Sequence, residues 1–201
     1  MVVSTLGRFL AAASLAALVP GGAALGAWTL EGGESEVGFI STKIFQGAET
    51  SATELNRFTE VSGGITDDGA ANIEVDLASV DTNIGIRDQR MREHLFQVEQ
   101  FPTATIQAQV PTSVLNGASH RVDLGITLTL HGHSETYSVP VAVAPAGDGR
   151  LLVNAIQPVL LDATTFDLGP GVTKLTELAG LLHIPTSVPV SFSLVFSSAG
   201  E

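Results

Sequence analysis

The chain has 201 residues, no cysteine and a formal net charge of −12 at pH 7, from 21 Asp and Glu residues against 9 Lys and Arg residues. The absence of cysteine excludes disulfides, thiolate metal sites and cysteine nucleophiles. The acidic balance argues against nucleic acid or an anionic membrane surface as a partner, because both are bound through clustered positive charge.

The first 26 residues have the features of a secretory signal peptide. Arg8 and the amino terminus give a weakly positive start, residues 9–19 are an apolar run, and small residues follow Pro20. The run of 11 residues is too short for a helix that spans a bilayer, which takes about 20. Cleavage after Gly26 would leave residues 27–201 as one periplasmic or secreted domain without a stable membrane anchor. Cleavage after Ala24 fits nearly as well, and an uncleaved anchor is the less favoured alternative.

We therefore expect the exported protein to begin between Gly22 and Trp28, because the small residues that suit cleavage lie there. Intact-mass spectrometry of the exported form checks this expectation. Recovery of the protein from a membrane fraction with Met1 retained would contradict it.

Alternation of apolar and polar residues dominates the rest of the chain and predicts strands with one face buried in the core and the other exposed to solvent. Turn sequences such as Asp67-Asp68-Gly69 and Asn116-Gly117 separate roughly eight strands. So many one-face-apolar strands favour an antiparallel barrel or a sandwich. The apolar positions are Val37 and Phe39, Ile73, Val75 and Leu77, Ala104, Ile106, Ala108 and Val110, Val122, Leu124, Ile126, Leu128 and Leu130, Val139, Val141 and Val143, and Val188, Val190, Phe192, Leu194 and Phe196.

Two helical patterns interrupt the alternation. The first covers about residues 86–95, with Ile84, Met91 and Leu95 on one face. The second covers about residues 172–182, between Pro170-Gly171 and Pro185. Helices inserted into a chain of strands commonly cap the mouth of a barrel, so we interpret both as lids or plugs.

Three of the nine basic residues, Arg87, Arg90 and Arg92, lie in the first helical pattern. A guanidinium group there suits a phosphate or a carbonyl oxygen of a ligand head group. The interpretation that we favour is an ion pair of Arg87 with Asp81 or Asp88, which would clamp the strand-to-helix connection.

His131-Gly132-His133-Ser134 is the strongest candidate for a metal or catalytic site. Two histidines two residues apart on a strand can share a metal, but no spacing supplies a third ligand. The run also approaches the nucleophile elbow G-x-S-x-G, but the last glycine is absent and a strand follows where the elbow needs a helix. We favour a polar hairpin in which a backbone carbonyl holds His131, with no catalytic residue and no metal.

In their order along the chain, several short motifs resemble the YceI-like family. The run from Ser79 to Pro102 has the family's S-x-D-T, R-D, L-F and aromatic-Pro elements, and Leu128–Gly132 matches L-T-x-H-G. The opening strand fits as well, except that Glu34 stands where the family has histidine. Looser matches come from Arg57-Phe58 with Gly63-Gly64-Ile65, and from Asp162 with Phe166-Asp167-Leu168.

This resemblance implies an all-β fold, an extended lipocalin-like antiparallel barrel of about eight strands with two short inserted helices, whose apolar interior holds a long isoprenoid chain. It implies no established catalytic residue and no cofactor. Eight-stranded barrels can be filled or hollow, and the small inward residues Ala71, Ala104 and Ala108 favour a hollow one. The predicted ligand contacts are Phe39, Ile73, Val75, Ile106, Leu124, Ile126, Leu128, Val141, Phe192 and Leu194.

We therefore interpret the chain as an exported binding protein, and not an enzyme, that holds a polyisoprenoid or similar long-chain amphiphile for transport, storage or sequestration. One alternative is an enzyme that acts on a quinone-like head group at the barrel mouth. Another is a filled barrel with a structural or stress-related role. The oligomeric state stays open, with a dimer among the options.

Overall fold

The computed structural model describes residues 27–47 and 50–198, so the predicted signal peptide lies outside the described residues. The alternating segments form strands, as predicted, because each places one face in the core. In the described residues the strands are β1 (Trp28–Leu30), β2 (Glu36–Phe45), β3 (Ser51–Phe58), β4 (Val61–Ile65), β5 (Ala70–Asp76), β6 (Val80–Asp81), β7 (Thr103–Gln109), β8 (His120–Leu130), β9 (His133–Pro145), β10 (Arg150–Ala155), β11 (Val159–Asp162), β12 (Leu181–His183) and β13 (Ser187–Ser198).

These segments combine into eight long strands, because several pairs continue one another along the same neighbour. β1 and β2 both pair with β13, β12 joins β13 along β2, and β10 and β11 both pair with β13. β3 and β4 lie end to end, and they pair with β2 and β1 respectively. In the same way β5 and β6 lie end to end and pair with β4 and β3. Together with β7, β8 and β9, they form a closed ring of antiparallel neighbours. The predicted eight-stranded antiparallel barrel is confirmed.

Breaks within the long strands coincide with tight backbone geometry. A turn of 3₁₀ helix separates β1 from β2, and another separates β5 from β6, where the Asp76 carboxylate accepts a hydrogen bond from the Ala78 amide at 2.7 Å. Gly63 in β4 has φ +132°, and a Cβ there would lie 2.1 Å from the Asn72 carbonyl oxygen. Only glycine therefore allows β4 to approach β5 at this point.

The two helical segments lie at one end of the barrel, which we call the helical end. α1 (Gly85–Arg90) continues into a π-helix, Met91–Phe96, which ends at Gln97 with φ +50°. α2 (Gly169–Leu178) packs against this π-helix, and a Cβ at Gly171 would lie 2.6 Å from the His94 carbonyl oxygen. Glycine at 171 therefore lets the two helical segments touch.

The prediction for the second helix was wrong at both ends. The helix begins at Gly169, because a proline is tolerated in the first helical turn. It ends at Leu178, and Gly180 with φ +62° turns the chain into β12. Leu182, which was expected on the apolar helix face, is instead a strand residue with 63% of its surface exposed. In the part of the chain that the structure describes, no helix has the length and hydropathy needed to cross a bilayer.

Candidate ligand-binding cavity

An apolar cavity of about 460 Å³ occupies the half of the barrel at the helical end. This volume falls in the range of about 300–1,000 Å³ that is typical of small-molecule sites. Inward-facing residues of β2, β5, β7, β8, β11 and β13 form its walls, and both helical segments cover it. The strand alternation produces this surface directly, because every second residue of each strand faces the interior.

Eight of the ten predicted contacts line the cavity: Phe39, Ile73, Val75, Ile106, Ile126, Leu128, Phe192 and Leu194. Leu124 and Val141 are buried in the core but are not among the residues that line the cavity. The structure thus brings most of the predicted set to one surface. Their contact with a ligand stays a prediction.

The cavity stops at one level of the barrel, which we call the floor. In β8 the lining ends at Ile126, in β9 at Tyr137 and in β13 at Leu194. Below that level the interior is packed by residues that include Leu124, Val139, Val141, Leu151 and Phe196, each at most 8% exposed. The barrel is therefore hollow in the half next to the helices and filled in the other half. Ala104 faces the hollow half, whereas Ala71 and Ala108 are not part of the cavity wall.

The helical segments supply contacts that the predicted list did not include. Met91, Leu95 and Phe96 of the π-helix and Val172 and Leu175 of α2 line the cavity. Phe166, fully buried in the 3₁₀ turn before α2, belongs to the same surface. For most of these residues the sequence did contain an indication, namely the apolar face of each predicted helix. Such a face packs against the apolar interior of a protein.

A charged cluster joins β2, β3 and α1 beside the cavity. The Lys43 Nζ lies 2.9 Å from the Glu54 carboxylate, and the Arg87 guanidinium pairs with the same carboxylate. Arg87 also donates to the Thr82 carbonyl oxygen at 2.6 Å. Partial burial raises the pKa of Glu54, but hydrogen bonds from Lys43 and Arg87 outweigh it and hold the pKa below its ordinary value of 4.5.

Arg87 thus links β3 to the connection that leads into α1, but the partners predicted for it were wrong. Asp81 pairs with Arg57 at 3.0 Å, and the Asp88 carboxylate accepts hydrogen bonds from the amide and hydroxyl of Thr82. The partner of Arg87, Glu54, lies 33 residues away in the sequence. It comes close only because β3 runs next to β6, which leads into α1.

We expect Arg87→Ala to lower the free energy of unfolding by about 1–3 kcal/mol and to leave the identity of a bound lipid unchanged. The expected loss lies between the ~0–1 kcal/mol that an exposed ion pair contributes and the ~3–5 kcal/mol lost when a buried pair is broken. The intermediate value follows because the side chains of Arg87 and Glu54 are 23% and 32% exposed. The stabilisation by the Arg87–Glu54 ion pair is fully present above the ordinary pKa of Glu54. It is lost as the pH falls through the lowered pKa that Glu54 has in the folded protein.

Chemical denaturation at pH 7 and in acid measures this difference. Arg57→Ala is the matched control, since the side chain of Arg57 is 50% exposed and its pair with Asp81 should contribute ~0–1 kcal/mol. Unchanged stability together with lost lipid would contradict the clamp and make Arg87 a head-group anchor.

His131 does not make the predicted hydrogen bond to a backbone carbonyl. It is 7% exposed, its ring lies 4.2 Å from that of Phe101, and neither imidazole nitrogen has a hydrogen-bond partner among the described residues. His133 is exposed on the same hairpin. Neither histidine lines the cavity. Within residues 27–47 and 50–198, no group of three or more His, Cys, Asp or Glu side chains is placed to hold a metal.

The sequence model of the YceI-like domain matches residues 28–196. A polyisoprenoid-binding domain from Saccharophagus degradans, implicated in plant cell wall breakdown, is 33% identical, with a TM-score of 0.80 over 86% of this chain and 98% of that one. None of the curated proteins searched matches the chain.

Two more distant structures share the fold. BcnA of Burkholderia cenocepacia is 22% identical, with a TM-score of 0.60 over 83% of this chain and 98% of its own. The YCEI protein of Campylobacter jejuni is 15% identical, with a TM-score of 0.51 over 73% of this chain and 85% of its own. These two likenesses concern the architecture of the barrel alone.

Proposed function

The chain belongs to the YceI-like domain family, and from this premise we propose that it is an exported protein that holds a polyisoprenoid or similar long-chain amphiphile inside its barrel. The observation that carries the proposal is the cavity, whose wall is apolar except for a few polar side chains. The similarity to a polyisoprenoid-binding domain at 33% identity supports the choice of ligand class. Transport, storage and sequestration are the roles open to such a protein.

Burial of the hydrocarbon tail can supply the affinity. Each buried methylene contributes about 0.8 kcal/mol, so about 20 buried carbons contribute on the order of 16 kcal/mol. Association and ordering of the ligand cost about 4–15 kcal/mol. The difference leaves useful affinity from the tail, so recognition of the head group can be modest.

Binding fits the arrangement of polar groups better than catalysis does. An enzyme acting on a head group would need His131, Arg87 and a carboxylate around one pocket. Arg87 and Glu54 line the cavity, but His131 is not part of its lining. We therefore propose a binding protein with no catalytic residue.

Native mass spectrometry of the purified protein tests the proposal. A retained mass in the range of a long-chain lipid, released by organic solvent, is the expected result. Delipidated protein should also take up added geranylgeraniol. Failure to retain a lipid and failure to bind geranylgeraniol would together contradict the proposal.

We expect His131→Ala and His133→Ala to leave the bound lipid unchanged, because neither side chain lines the cavity. Extraction of the lipid from each purified variant, with circular dichroism as the check on folding, measures this. A folded variant that lost its lipid through either substitution would show that the site is polar or metal-based.

A further inference from the structure

The cavity opens at the helical end, and apolar side chains surround the opening, which we call the mouth. Phe45, Ile84 and Ile86 line the cavity and are also 37%, 42% and 56% exposed, so each lies partly inside the barrel and partly in solvent. Leu182 extends this apolar surface outward, because it is exposed and follows Leu181, which lines the cavity and pairs with Phe45. We call Phe45, Ile84, Ile86 and Leu182 the rim.

The rim concentrates exposed apolar side chains at one place. Among the described residues, seven large apolar side chains are exposed, and four of them form the rim. The other three, Leu55, Ile156 and Leu160, lie along the barrel wall and do not line the cavity. Single exposed apolar residues are ordinary, whereas a group of them marks a binding surface. We infer that the rim docks the protein on a lipid bilayer with neutral head groups, an inference that rests on the proposed function.

The ligand class supplies the first argument for a bilayer. A long-chain amphiphile resides in membranes, because contact of each methylene with water is unfavourable. The ligand avoids water during transfer only if the apolar surface of the cavity meets the bilayer directly. The rim provides this continuity, since three of its four residues belong to the cavity lining. A docking surface elsewhere on the barrel wall would leave the ligand a path through water.

The distribution of charge supplies the second argument. α1, the π-helix and α2 contain four basic residues against three acidic ones, whereas the whole chain has 9 against 21. The excess of negative charge therefore lies outside the helical segments, so this end can approach a membrane while the acidic remainder faces away from it. The near balance of charge in these segments fits neutral head groups. The residues counted are Arg87, Arg90, Arg92 and Lys174, and Asp88, Glu93 and Glu177.

The charged cluster beside the cavity holds two sides of the rim together. Glu54 pairs with Lys43, which precedes Phe45 by two residues on β2. The same carboxylate pairs with Arg87, which follows Ile86 in α1. The ion pairs thus keep Phe45 and Ile86 at the mouth in the free protein. A surface that is already formed does not have to be ordered when it meets the membrane, which lowers the cost of docking.

Uptake of geranylgeraniol from two sources tests docking directly. Delipidated protein is mixed with phosphatidylcholine vesicles that contain the alcohol and, separately, with the same alcohol as a cyclodextrin complex. Native mass spectrometry at successive times gives the rate of uptake from each source. Docking predicts that the rate constant of uptake from vesicles rises in proportion to the protein concentration. A rate constant that is limited by spontaneous release from the vesicles, and is therefore independent of protein concentration, overturns the inference.

Leu182→Gln is the variant that separates docking from binding, because Leu182 belongs to the rim but does not line the cavity. Uptake from vesicles should slow about threefold or more, whereas uptake from cyclodextrin and the final amount bound should stay unchanged. Leu182→Phe should retain the wild-type rate. Leu160→Gln is the control, since Leu160 is equally exposed on the barrel wall and should change neither rate. Wild-type rates in Leu182→Gln, or an equal loss from both sources, overturn the inference.

The same samples separate this inference from the proposed function. If the wild-type protein takes up the alcohol from neither source, the proposed function fails. If it takes up the alcohol from both sources and the vesicle rate does not depend on protein concentration, the binding function stands and only docking fails. Size-exclusion chromatography tests for another occupant of the rim. A wild-type dimer that Leu182→Gln converts to a monomer, with unchanged uptake from vesicles, would show that the rim binds a second copy and would overturn the inference.

Discussion

Leu128→Glu is expected to empty the cavity and to destabilise the barrel by several kcal/mol. Leu128 is 8% exposed and faces the cavity from near the C-terminal end of β8. A carboxylate at this position would lie against apolar surface, and burial of an unpaired charge costs on the order of several kcal/mol of folding free energy. The register places Glu135 of β9 opposite Leu128, so like-charge repulsion would add to the cost.

The pH dependence gives this prediction a sign. Burial raises the pKa of a carboxyl group, so the introduced side chain favours its neutral form in the folded state. Its destabilising effect should therefore be largest near neutral pH and should diminish as the pH falls through the raised pKa. Thermal denaturation of the variant and the wild type at pH 7 and pH 5, with extraction of bound lipid, measures both effects.

Thr127→Glu is the matched control for this experiment. Thr127 is the neighbouring residue on β8, does not line the cavity and lies opposite Gln107 and Thr136 on the outer face. The same carboxylate on that face should change stability by no more than about 0.5 kcal/mol and leave the lipid in place. Wild-type stability and lipid content in Leu128→Glu would contradict the assignment of this strand face to an apolar site.

Alternation was enough to predict which residues face inward, because the side-chain period of a strand is two whatever its neighbours are. The five apolar positions of β8 illustrate this, since all of them belong to the core or pack against it. Alternation did not reveal that the long strands are interrupted. The break between β5 and β6, for example, depends on the cap that the Asp76 side chain provides, which a hydrophobic pattern does not contain.

The alternation of apolar residues also did not predict where the cavity ends along the barrel. Leu124 and Leu128 have the same residue type, the same strand and the same inward direction, yet only Leu128 lines the cavity. The difference arises from what surrounds each residue, since Leu124 pairs with the fully buried Val139 on β9, whereas Leu128 pairs with the exposed Glu135. Inward direction is a local property, whereas free volume depends on all the strands at one height.

Pairing of charges shows the same limit. Asp81 and Asp88 were the expected partners of Arg87 because they are its neighbours in sequence. In the structure Asp81 pairs with Arg57 and Asp88 accepts hydrogen bonds from Thr82, whereas Arg87 pairs with Glu54 of β3. The concentration of arginines in one connection was nevertheless an informative signal, since two of the three, Arg87 and Arg90, line the cavity.

Leu124→Ala is expected to lower the floor of the cavity and to shift the bound lipids toward longer chains. Leu124 is 8% exposed, packs in the core and lies one inward position below Ile126, the last β8 residue that lines the cavity. Truncation of a buried leucine costs about 2–5 kcal/mol, in proportion to the space that is left empty. In this barrel the new space adjoins an existing cavity, so a longer tail can fill it and recover part of the loss.

Two measurements on the same sample therefore test the position of the floor. Delipidated Leu124→Ala should unfold about 2–5 kcal/mol more easily than delipidated wild type, and added long-chain ligand should narrow that difference. Lipids extracted from the variant should have a longer mean chain length. Leu160→Ala is the control, because Leu160 is 65% exposed on β11 and should change neither value. A destabilised variant with an unchanged lipid profile would show that Leu124 packs the core without setting the length of the ligand, and that the floor is set by the residues across the barrel.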